Sequence, residues 1–162
     1  PQKAAPCGCT HTDFGTPTCS VNEASGGSML HIKVQETVFH PGHYRIALAV
    51  NSPTELPIDP KAETMTDASG KVTSVSGAIM NPVAPPVLVD GLWAPPAPVS
   101  APQATDVRLP NINCKSCTIQ VLQFMEHHGV NNPGQFSYHH CAVLHITADP
   151  SKPLDAGWAQ ER

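Results

Sequence analysis

The chain has 162 residues, enough for one domain with a core of its own. Its formal net charge of -4 offers no basic footprint for nucleic acid, and no apolar run approaches the roughly 20 residues that cross a bilayer. Eighteen prolines and eleven glycines, with only 14% charged residues, exclude a helical bundle, because proline breaks the interior of a helix or strand and marks edges and turns. The composition reads as an all-β, loop-rich protein of 1–162 as a single domain.

Residues 1–27 carry Cys7, Cys9 and Cys19 among Gly, Pro, Thr and Ser with no helical or strand period, so they read as a loop that needs covalent staples. Cys9 with Cys19 would close a short ring around His11, an exposed loop histidine, and leave Cys7 for a distant partner. Leu30, Ile32 and Val34 then alternate with His31, Lys33 and Gln35, the period of a half-buried strand. A tight turn follows, His40-Pro41-Gly42-His43, and Tyr44, Ile46, Leu48 and Val50 alternate with Arg45, Ala47 and Ala49 in a second strand. The two are expected to pair as a hairpin, with the His40 turn at one end of the sheet. Ser-Pro, Leu-Pro and Asp-Pro steps make 51–60 a loop.

Between 61 and 104 the chain turns to Pro, Ala, Val and Ser with little periodicity, and reads as a long excursion of the kind that is functional or mobile. Trp93 within it has two readings: an exposed platform for a sugar ring, or a side chain that pins the loop to the core. Cys114-Lys115-Ser116-Cys117 opens an apolar stretch to Met125 that reads as a strand. A polar loop over 126–134 holds His127 and His128. The last long strand covers 136–146, and the tail, 149–162, is irregular, with a lone Trp158 and too few apolar residues for a core element.

Six cysteines, an even number, favour disulfides and an oxidising, secreted or periplasmic setting. The expected pairs are Cys9 with Cys19, Cys114 with Cys117, and Cys7 with Cys141, one of many connectivities that six cysteines allow. The structural alternative is a zinc site of Cys7, Cys9, Cys114 and Cys117. No nucleophile elbow, phosphate loop or dinucleotide fingerprint is present, and the sparse Asp and Glu show no pairing of the kind a glycosidase needs. What stands out is imidazole at the mouths of two strands, His40 and His43 at one and His139 and His140 beside Tyr138 at the other, a donor type that suits copper, zinc, iron and nickel alike.

His40-Pro41-Gly42, Tyr138-His139-His140-Cys141 and the run from Cys114 to Met125 together resemble the lytic polysaccharide monooxygenases. The resemblance implies an antiparallel β-sandwich of the fibronectin or immunoglobulin type, with copper as cofactor. It makes His40 the metal-binding histidine, with His43 as its competitor, and Tyr138 the axial neighbour. His128 and Gln135 become the outer partners of the reacting oxygen, and Trp93 a substrate contact. It implies oxidative cleavage of a cellulose- or chitin-like polysaccharide by a secreted monomer that draws on an external electron donor, without nucleic-acid or membrane partners. The alternative is a secreted copper-binding or carbohydrate-binding protein without turnover. The family's copper site also uses a histidine at the start of the mature chain, whereas this sequence starts with Pro1. The expectation is therefore that a first strand and its histidine are missing, and that the chain as given binds copper weakly.

Overall fold

A computed structural model describes residues 3–8 and 20–162. Nine strands run in order: β1 (Val21–Ser25), β2 (Met29–Val34), β3 (Gly42–Ala49), β4 (Ala62–Thr66), β5 (Val72–Gly77), β6 (Val87–Leu92), β7 (Gln103–Arg108), β8 (Cys114–Met125) and β9 (Ser137–Thr147). Among the described residues the helical structure is a single 3₁₀ turn, Pro53–Glu55, which Ser52 caps by accepting from the Thr54 amide. The fold is all-β, as the composition implies.

Five strands form the main sheet in the order β1-β9-β8-β3-β6, and two ribbons, β2-β7 and β4-β5, lie apart from it. Every pairing is antiparallel except that of β1 with β9. On one face of the sheet Ile46, Leu48, Ile119, Leu144 and Ile146 pack with Val107, Leu109 and Ile112, and Leu30 and Ile32 of β2 close over them. This is the sandwich core. On the other face Leu122, Phe124 and Phe136 meet Ala62 and Val72 from the β4-β5 ribbon, and Ala47 and Ala49 meet Leu56 and the cysteines Cys7 and Cys141. The interior strand β3 is thus covered on both sides, which is why His43 through Ala49 are all buried although their sequence alternates.

The expected hairpin of β2 with β3 does not form. β2 pairs with β7, Ile32 opposite Thr105, while β3 lies between β8 and β6. Residues 35–41 instead carry the chain from one layer to the other, and alternation within a strand says nothing about which strand it will pair with. β2 does keep the expected faces, with Leu30 and Ile32 half-buried and His31 and Lys33 exposed. The unperiodic stretch 61–104 contains three strands, β4 to β6, and enters a fourth. Of these, β4 and β5 are short, the first largely exposed and the second with a serine as its one buried residue, so they carry little apolar signal. β1 was hidden for the same reason: it is a five-residue edge strand with no buried position.

Two of the expected disulfides are present. Cys7 is joined to Cys141 and Cys114 to Cys117, with Cα separations of 5.2 and 5.8 Å. These bonds occupy three of the four cysteines of the zinc alternative. Cys9, Cys19 and His11 lie outside the described residues. The tail differs from expectation: Trp158 packs against the sandwich core.

Candidate metal centre

The start of β3, the end of β8 and the start of β9 meet at one rim of the main sheet, where Gly42 stands opposite Met125 and Gln123 opposite Tyr138. Gly42 has a φ of 140°, and a Cβ there would run into the Phe124 carbonyl, so the turn that ends in β3 closes this tightly because residue 42 is glycine. The Glu126 amide donates to the Pro41 carbonyl at 2.7 Å and the Met125 amide to the Phe136 carbonyl at 2.8 Å, which ties the His40 turn to the loop between β8 and β9.

That closure brings three of the site residues together. The His40 ring lies 4.9 Å from the His128 ring, edge to face at 82°, and 5.8 Å from the Tyr138 ring at 64°. The His128 Nδ1 is 2.7 Å from the Gly129 carbonyl oxygen. A carbonyl only accepts, so Nδ1 donates to it, which leaves Nε2 as the nitrogen open to another partner. Burial pushes the His40 pKa below its ordinary value, the neighbouring His128 adds to the effect, and Glu36 opposes it. At neutral pH His40 is therefore an uncharged imidazole with a free lone pair, the form a metal requires.

Glu36 was not foreseen. Its Oε1 accepts from the Tyr44 hydroxyl at 2.5 Å and from the Gln123 side-chain amide at 2.6 Å, and its Oε2 is buried with no partner among the described residues. Burial, then the bond to Glu36, raises the Tyr44 pKa well above its usual range. The available signal was two polar tips, Tyr44 and Gln123, on neighbouring apolar strands; nothing local pointed to Glu36 as the group that joins them.

The other site residues are placed as follows. His43 is buried on β3 with its ring stacked on Phe124 at 5.4 Å, and its Nε2 lies 3.7 Å from the Asp90 carboxylate, beyond hydrogen-bonding range. It occupies the strand interior, not the His40 cluster. His139, adjacent to Tyr138, is fully buried and bonds Asp59 through Nε2 at 2.8 Å. Gln135 is exposed, has a φ of 49°, and its side chain makes no hydrogen bond among the described residues. Trp93 is half-buried with a φ of 46°, its ring edge-on to Tyr44 at 5.3 Å.

The residues at this rim fit copper as part of a coordination sphere. They offer a neutral imidazole, a second imidazole beside it and a phenol, donors that copper accepts. They do not enclose a metal by themselves, since no group of three or more His, Cys, Asp or Glu among the described residues is placed to hold one.

Fold and rim together define an immunoglobulin-type β-sandwich with a histidine pair and a tyrosine at one end of its main sheet. No protein-family model and no curated protein matches the chain. Among solved structures it is similar to an AA15 lytic polysaccharide monooxygenase from Thermobia domestica in the Cu(I) state, with a TM-score of 0.52. The two chains are 16% identical over 90% of this one and 77% of the other, and at that identity the likeness is one of fold.

Proposed function

We propose that the protein is a copper-dependent enzyme that oxidatively cleaves a cellulose- or chitin-like polysaccharide outside the cell or in the periplasm, acting as a monomer with an external electron donor. The observation that carries this reading is the convergence of His40, His128 and Tyr138 at the rim of a sandwich whose fold is that of a copper monooxygenase. Bound copper supplies the one-electron redox chemistry for oxygen insertion at a glycosidic carbon. His40 binds the metal through its neutral ring. His128, protonated on Nδ1 and open on Nε2, takes up and returns a proton beside it. Tyr138 would stand beside the bound metal, Trp93 would receive a sugar ring, and the exposed Gln135 would serve as an outer partner of the reacting oxygen. Two disulfides among the described residues agree with an oxidising compartment.

A second reading, copper or carbohydrate binding without turnover, is favoured by one observation: the described residues supply only part of a coordination sphere. Calorimetric titration with Cu(II) and ascorbate-driven assays on cellulose and chitin separate the two, using the protein isolated from its natural source. One-to-one copper binding that His40→Ala abolishes and His43→Ala leaves largely intact, with release of oxidised oligosaccharides, is the expected result. Copper binding without oxidation selects the second reading, and undiminished binding by His40→Ala removes both assignments of the metal to this rim.

A further inference from the structure

We propose that Ser74 is a positioning residue for His128, so that the β4-β5 ribbon sets the spacing of the two imidazoles at the rim. Ser74 lies in β5 and is fully buried. Its hydroxyl donates to the Met125 carbonyl at 2.8 Å, with the His128 carbonyl at 3.2 Å as a second acceptor, and it accepts from the His128 amide at 3.1 Å. Its backbone repeats the attachment: the Ser74 amide donates to the His128 carbonyl at 3.0 Å and the His127 amide donates to the Ser74 carbonyl at 2.9 Å. Thr73 and Gly129 extend the contact as an isolated bridge. One serine thus holds both the last residue of β8 and the two histidines that follow it.

The loop needs such an anchor. His127 sits at a φ of 53°, a left-handed conformation that is strained for a non-glycine residue and persists only where the surroundings hold it. Beyond it the His128 ring is fixed at its Nδ1 by Gly129, so backbone and ring are restrained separately. The ribbon in turn has a fixed seat. Ala62 and Val72 pack on the cluster of Leu122, Phe124 and Phe136, and a Cβ at Gly77 would strike the Phe124 ring, so β5 lies directly against β8. Removal of the Ser74 hydroxyl leaves the His128 amide and the Met125 carbonyl without this partner in a place closed to water, and the loop relaxes about His127.

The consequence for the metal rests on the proposed function; the positioning itself does not. The test compares Ser74→Ala, Ser74→Thr and, as a control on the same strand, Ser76→Ala, whose hydroxyl bonds the exposed Glu63. Three quantities are measured on the full chain: amide hydrogen exchange, the nuclear Overhauser contact between the His40 and His128 rings, and Cu(II) affinity. In Ser74→Ala the His128 amide exchanges about tenfold faster or more, the scale set by one lost buried hydrogen bond. The ring contact weakens, and the Leu122 and Leu144 amides of the main sheet keep their rates. Copper affinity falls by a similar factor, while Ser74→Thr and Ser76→Ala behave as the parent. The proposal is overturned if the His128 amide and the ring contact are unchanged in Ser74→Ala, if the main-sheet amides accelerate equally, or if threonine fails to restore them. A parent protein that binds no copper defeats the functional reading alone, because exchange and ring contact still decide the role of Ser74.

Discussion

His43 and Arg45 are buried in the main sheet, two basic side chains on a strand otherwise made of apolar residues and one tyrosine. Arg45 directs its guanidinium to the carbonyls of Pro57 and Ile58, while His43 stacks on Phe124. Burial lowers the pKa of His43; Asp90 and Glu126 oppose the shift, and Arg45 adds to it. The folded state therefore prefers the neutral ring, and below the ordinary value of 6.5 the unfolded chain binds the proton more readily. The stability this provides is complete above that pH and is lost as pH falls from it toward the lowered folded value. Melting temperature is expected to drop on acidification from pH 7 to 5.5, and His43→Gln to flatten the drop. An unchanged slope in that variant would assign the effect elsewhere, to His40 or His140, whose shifts have the same sign. At this scale the sequence exposed the residues that stand in local motifs, His40 and Tyr138. Glu36 escaped because its role is defined by Tyr44 and Gln123, 8 and 87 positions away along the chain.

Individual strands were legible where they bury one clean face, as β2 does, or where they are long, as β8 and β9 are at 12 and 11 residues. Short exposed strands such as β1 and β4 were not, and neither was pairing, which depends on contacts far apart in sequence. The segment 3–8 has no strand of its own, yet it is held to β9 by the Cys7–Cys141 bond across a separation of 134 residues, and the Gln120 side chain donates to the Pro6 carbonyl at 2.6 Å. A crosslink that closes so long a loop restricts the unfolded chain strongly, so Cys7→Ser with Cys141→Ser is expected to lower unfolding stability by about 3–5 kcal/mol. Cys114 and Cys117, three positions apart, close a far smaller loop, and their replacement should cost less by this route. Denaturant titration of the two double variants gives the comparison, and equal losses would contradict it.

Asn111 organises the molecule at its largest scale, since one buried side chain collects the tail. Its Nδ2 donates to the carbonyls of Asp149, Lys152 and Pro153, its Oδ1 accepts from the Asp149 amide, and its backbone exchanges bonds with Asp155. Further along, Trp158 reaches the sandwich core and Asn51 binds Gln160 and Arg162. Asn111→Ala is expected to cost about 3 kcal/mol and to shift tryptophan emission to the red as Trp158 meets water; unchanged emission would show that the tail holds without Asn111. The parallel pairing of β1 with β9 has a different meaning under load. Tension that enters ahead of β1 and leaves beyond β9 pulls two parallel neighbours in opposite directions, so the bonds of all five paired positions, Val21 with Val143 through Ser25 with Thr147, resist together in shear rather than opening one by one. With Cys7 bonded to Cys141, that force bypasses the pair and runs through the sulfurs into β9, and the chain between the two cysteines cannot be drawn out. Reduction thus transfers the load from a covalent link to a hydrogen-bonded clamp, and the redox state of one disulfide fixes how far the molecule can be stretched.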